Sequence, residues 1–144
     1  VAPHKRQDIR KAVQSLLKGA TGAEERVFTS RETPWKQVEL PGIAVYTLEE
    51  TSEEFNAFPR TLERKLQLAI LAVVSFTADL DDKTDEISLA IEKAMDADPC
   101  LGLKGTVTDS ILTNTGIEVT EEQGRPIGVV RLVYTVTYHT DTVT

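Results

Sequence analysis

The sequence predicts an α+β fold: a mostly antiparallel sheet of four to five strands with two main helices packed on one face. Three observations carry that prediction. The closing segment Ile127–His139 is apolar, β-branched and aromatic, bounded by Gly124-Arg125-Pro126 and a polar tail, which marks a strand. At about 3.3 Å per residue it spans roughly 40 Å, enough to serve as the spine of a sheet. The stretch Arg60–Phe76 offers a second long apolar run, and only two segments, near Ile9–Leu17 and Ile87–Met95, show helical spacing with plausible stop signals.

In chain order, Lys5–Lys18 places Ile9, Val13, Leu16 and Leu17 on one stripe and ends at Gly19 and Gly22, an amphipathic helix. Val27-Phe28 marks a short strand, followed by a breaker-rich loop, Arg31–Pro41, whose one large apolar group is Trp35. Gly42–Leu48 is a strand apolar on both faces near its centre, which suits a central, well-covered place. From Glu49 the chain turns acidic through Glu50, Glu53 and Glu54, the signature of a solvated loop; Phe55 and Phe58 interrupt it before Pro59 and either fold back on the core or await a partner. Arg60–Phe76 satisfies both periodicities. A strand is favoured because Ala69–Phe76 leaves no polar face for a surface helix and no cap stands between Pro59 and Leu62.

Asp79–Glu86 loads acids at the start of a helix carrying Ile87, Leu89, Ile91, Ala94 and Met95 and stopping at Asp98-Pro99. Gly105–Val119 alternates as a strand, with a bulge expected near Asn114-Thr115-Gly116, and Glu121–Gly124 turns it into the closing strand as an antiparallel hairpin. In that strand Gly128, Val130, Leu132, Tyr134, Val136 and Tyr138 form the core face; the opposite face, with Ile127, Val129, Arg131, Val133, Thr135, Thr137 and His139, is mixed enough to meet water, a helix or another subunit.

Composition sets the outer bounds. Residues 1–144 read as a single domain with flexible terminal residues, 40% hydrophobic and 27% charged. No apolar run is long enough to span a bilayer, and the start carries no signal-peptide pattern, so neither membrane insertion nor secretion is expected. A net charge of −7 disfavours a protein built to grip nucleic acid. The lone Cys100 forms no internal disulfide or zinc motif and is expected to be a buried, inert thiol.

No catalytic pattern emerges. There is no nucleophile elbow, no phosphate-cradling glycine motif, and the two histidines, His4 and His139, lie on terminal segments. The cluster Asp79, Asp81, Asp82, Asp85 and Glu86 lacks the central glycine and closing glutamate of a helical-loop calcium site; helix capping and dipole complementarity account for it. The pairs Glu49-Glu50 and Glu53-Glu54 carry no implied concave site for glycoside chemistry. No enzyme, cofactor or metal is expected.

The order of elements, the strand Pro41-Gly42-Ile43-Ala44-Val45-Tyr46 followed by an acidic stretch, and the ending Leu132-Val133-Tyr134-Thr135-Val136-Thr137-Tyr138 resemble the tail terminator proteins of long-tailed phages, the group of the phage lambda minor tail protein U. The resemblance implies a structural virion or prophage protein, assembled in the host bacterial cytoplasm. It implies a hexameric ring that caps the tail tube protein, ends tail polymerisation and presents its other face to head-tail connector proteins, while DNA passes through without sequence-specific binding. Trp35, Phe55, Phe58, Arg131 and His139 are the partner-interface candidates. A neck or tail completion protein shares this topology, and a small cellular ligand-binding domain is the reading from another class.

Overall fold

A computed structural model describes residues 4–29, 40–75, 78–122 and 124–141 of the chain. The elements run α1 (Lys5–Leu17), β1 (Val27–Thr29), β2 (Gly42–Ala57), β3 (Arg60–Ser75), α2 (Leu80–Ala97), β4 (Val107–Glu122) and β5 (Arg125–Asp141). The five strands form one sheet in the order β1-β2-β3-β5-β4. Only the β1/β2 pair is parallel; the other ladders are antiparallel, as the α+β prediction requires.

The centre of the sheet is the β3/β5 ladder, which runs from Thr61↔Asp141 to Ser75↔Ile127 without a register shift. Both strands are rich in Val, Ile and Leu, and β5 adds Tyr134 and Tyr138, residues that suit a pleated surface covered on its faces. The ambiguity thus resolves as a strand over Arg60–Ser75 because β5 supplies a complementary partner from Thr61 to Ser75, something local periodicity does not register; Phe76 lies outside the described residues.

Alternation then sorts the side chains. Leu66, Leu68, Ile70, Ala72 and Val74 of β3 join Val130, Leu132, Tyr134, Val136 and Tyr138 of β5 in one buried cluster with Ile43 and Val45 of β2. The stripes Ile9, Val13, Leu17 of α1 and Ile87, Ile91, Met95 of α2 belong to the same cluster. Gly128 is where α2 starts against the sheet: a Cβ there would lie 2.6 Å from Leu80 Cδ1. On the opposite face a smaller cluster joins Ala44, Val73, Ile127 and Val129.

Three expectations are corrected. The acidic stretch from Glu49 is not a loop: β2 continues to Ala57 and turns at Phe58-Pro59, a cis peptide, directly into β3, giving a long hairpin arm. Its composition is polar because both faces meet water, with residues 51–60 all exposed, and a two-sided exposed strand reads as a loop by hydropathy. Cys100 is half-buried rather than buried, its thiol 3.8 Å from Thr108 O. Asp79 occupies the N-cap of α2 without closing a side-chain cap bond, so Asp81 and Asp82 in the first turn act through the helix dipole.

Leu132 is fully buried at the middle of the central ladder. Truncation by Leu132→Ala is expected to destabilise the protein by about 2–5 kcal/mol, read from chemical denaturation, whereas Leu89→Ala, at a side chain 53% exposed on α2, is expected to cost well under half of that.

Candidate functional site

The β2/β3 arm leaves the body of the sheet at a β-bulge between Thr47 and Glu50. Up to Thr47 the odd residues of β2 face the helices; the extra residue shifts the parity, so that Glu50 pairs with Leu66 and turns inward. Its carboxylate becomes the hub of a charged knot. Arg6 Nη1 donates to Glu50 Oε2 at 2.8 Å, Arg64 Nη1 donates to the same oxygen at 3.2 Å, and the Tyr138 hydroxyl donates to Oε1. Arg64 Nε also donates to Thr140 Oγ1 at 2.8 Å, and its Nη1 lies 3.4 Å from His4 Nε2.

His4 caps α1, its Nδ1 accepting from Arg6 N at 3.1 Å. The knot therefore ties the start of the first helix to the root of the arm and to the end of β5. Glu50 and Arg64 side chains are 10% and 13% exposed. Burial pushes the Glu50 carboxyl up, but the hydrogen bonds from Tyr138 and Arg64 and the charge of Arg6 outweigh it and hold it below its ordinary range. Burial, with Arg6 and Arg64 beside it, lowers His4 and keeps its Nδ1 an acceptor. Tyr138 is raised by burial and by Glu50.

On the opposite face of the arm Phe55 stacks on His139, ring centroids 4.4 Å apart and planes tilted by 34°, while His139 Nε2 lies 3.1 Å from Glu63 Oε2. Phe55 is 63% exposed and Phe58, at the hairpin tip, 93% exposed; neither enters the core. Arg131 shares the face of His139 but sits eight residues back along β5, about 26 Å away, exposed and opposite Leu71 and Gly116. The structure thus brings Phe55 and His139 together, keeps Phe58 at the tip, and leaves Arg131 apart. Trp35 lies outside the described residues. Sequence reasoning missed the Glu50 knot, since strand parity counted from Gly42 points Glu49 inward; one early signal was the basic His4-Lys5-Arg6 run opposite an acidic segment.

A second feature lies at the other side of the sheet. A groove of about 550 Å³ between α2 and β4 is lined by Glu92, Met95, Asp96, Asp109, Leu112 and Tyr134, among others. Burial, then Glu92 and Asp96, push the Tyr134 phenol up to about 12. Among the described residues no three His, Cys, Asp or Glu side chains are arranged to hold a metal ion, and no described helix is long and apolar enough to cross a membrane.

Glu50→Ala is expected to cost about 2–3 kcal/mol, short of the full cost of breaking a buried pair because Arg6 is 37% exposed. His4 and Glu50 both have folded pKa values below their ordinary 6.5 and 4.5, so the unfolded chain binds more protons in those windows. The stability they contribute is complete above those values and is lost as pH falls below 6.5 for His4 and below 4.5 for Glu50. Thermal melts of His4→Asn, which keeps a capping side chain, are expected to show a flatter decline between about pH 7 and 5 than the parent.

No curated protein sequence matches the chain. Among solved structures, a chain in the virion of a native gene transfer agent particle superposes with a TM-score of 0.54 at 10% identity, covering 89% of this chain and 84% of that one, a likeness of fold. The model of the family described as phage minor tail protein U matches residues 4–138, and the chain therefore belongs to the phage minor tail protein U family.

Proposed function

We propose that this minor tail protein is the tail terminator: a ring of identical subunits, six in number by the family resemblance, that seats on the tail tube, stops its polymerisation and offers its other face to the head connector. The observation that supports the ring is the pair of uncovered sheet edges. Among the described residues β4 has no partner on its outer side, and β2 is paired by β1 only over Ile43–Val45. Long exposed edges are normally covered, and a head-to-tail contact between different edges of identical chains closes into a ring when the rotation permits.

Strand direction favours that contact. Through β3 and β5, β4 runs antiparallel to β2, so the β4 edge of one subunit meets the β2 edge of the next in antiparallel sense. Ile111, Ile117 and Val119 of β4 are each more than half exposed and would lose water there. The arm is the piece long enough to reach beyond the ring, and Phe55 with Phe58 gives its far end an apolar patch suited to the tail tube. With a net charge of −7, a ring of such subunits lets phosphate slide through the centre rather than adhere. The role is structural and involves no catalysis.

Particles assembled without this protein are expected to carry tails of uncontrolled length in electron micrographs. Normal tail lengths with heads unattached would instead place it among neck or completion proteins. In sedimentation velocity across concentration the protein is expected to form a ring-sized species; a monomer at every concentration that also never caps purified tail tubes would end the terminator reading. Phe58→Ala is expected to leave the melting temperature unchanged while reducing tube capping several-fold.

A further inference from the structure

We propose that the groove between α2 and β4 receives the basic outer stripe of α1 from a second copy of the chain, making the two surfaces halves of one head-to-tail contact. This rests on the ring reading above and assigns the side chains that would hold it.

The groove has a built interior. Tyr134 is only 4% exposed, lines the groove, and its hydroxyl has no hydrogen-bond partner among the described residues. That hydroxyl is not sealed from water but opens into the groove, where a polar group from outside can take the place of solvent. Beside it stand the carboxylates of Glu92 and Asp96, with Lys93 the one cation of the lining. Glu92 is held by the Ser88 hydroxyl at 3.2 Å, which fixes the direction of one of these acids. An ammonium group entering here meets carboxylates and can donate to the phenolic oxygen.

This chain carries the complement at its other edge. Gln7, Lys11, Ser15 and Lys18 are the exposed stripe of α1, with the two lysines about 10 Å apart along the helix. The two arginines of this helix are occupied within the subunit, Arg6 by Glu50 and Arg10 by Thr47. α1 packs over β1 and β2, whereas α2 reaches β3, β5 and β4. Both helices share one buried cluster with the sheet. When the β4 edge of one copy approaches the β1–β2 edge of the next, the acidic groove of the first and the lysine stripe of the second lie on the same side of the joined sheet.

Charge exchange tests it. One variant combines Glu92→Lys with Asp96→Lys, the other Lys11→Glu with Lys18→Glu; each presents like charges on both halves. In sedimentation velocity, each alone is expected to self-associate at least tenfold more weakly than the parent, and an equimolar mixture to recover assembly. The neutral pair Glu92→Gln with Asp96→Asn is expected to weaken association by threefold or more and to reduce its salt dependence; it decides the matter by the same criterion if charge reversal costs the fold, as followed by circular dichroism. Folded variants that assemble like the parent, or that gain nothing on mixing, would overturn the contact while leaving the ring intact. A parent chain that stays monomeric with tail tubes present would remove both.

Discussion

Everything in this structure hangs on the uninterrupted pairing of β3 with β5. That ladder is the one antiparallel ladder in the sheet without a register shift, while those on either side, β2/β3 and β4/β5, each contain bulges. A straight central pair fixes which side chains face the helices over its whole length, because a slip by one residue would turn every one of them to the other face. The flanking strands are then free to bend. The bulges put Glu50 where a charged knot can form and reset β4 beyond Leu112, so local features of the candidate surfaces depend on a regular core beside them.

The knot illustrates how the two kinds of order cooperate. Glu50 and Arg64 sit in the same layer as Leu66 and Tyr138, at the end of the apolar cluster. A carboxylate placed there alone would be costly; with two guanidinium groups and a phenol around it, its hydrogen-bonding capacity is used. The arrangement also fixes α1, since His4 caps that helix and faces Arg64. Helix, arm and closing strand are joined through one carboxylate.

Much of this was legible in the sequence and some was not, for physical reasons that differ by element. The closing strand, with its core face Gly128 to Tyr138, showed its period plainly because one side is buried and the other mixed. The two helices and the bulge near Asn114 were equally visible. The arm was not, since hydropathy detects strands by what they bury and residues 51–60 bury little. Glu50 was hidden by the bulge, which breaks the count that assigns faces. Phe55 and Phe58 were singled out as unexpected aromatics and both are exposed, but the stacking of Phe55 on His139 was not legible, because it joins residues from strands separated by the whole middle of the chain. Family membership added what neither period nor packing could supply, the virion context.

The arm has a mechanical meaning beyond its reach. Past Glu50 it is one layer thick, wet on both faces, and held mainly by backbone bonds to β3 and, through β3, to the end of β5. Such a segment opens at a lower free energy than the two-layer body to which it is attached. The charged knot marks the boundary between the two regimes, so the molecule behaves as a stiff block with a compliant cantilever clamped at Glu50. Bending strain at the tip would dissipate beyond the clamp and leave the packed body undisturbed.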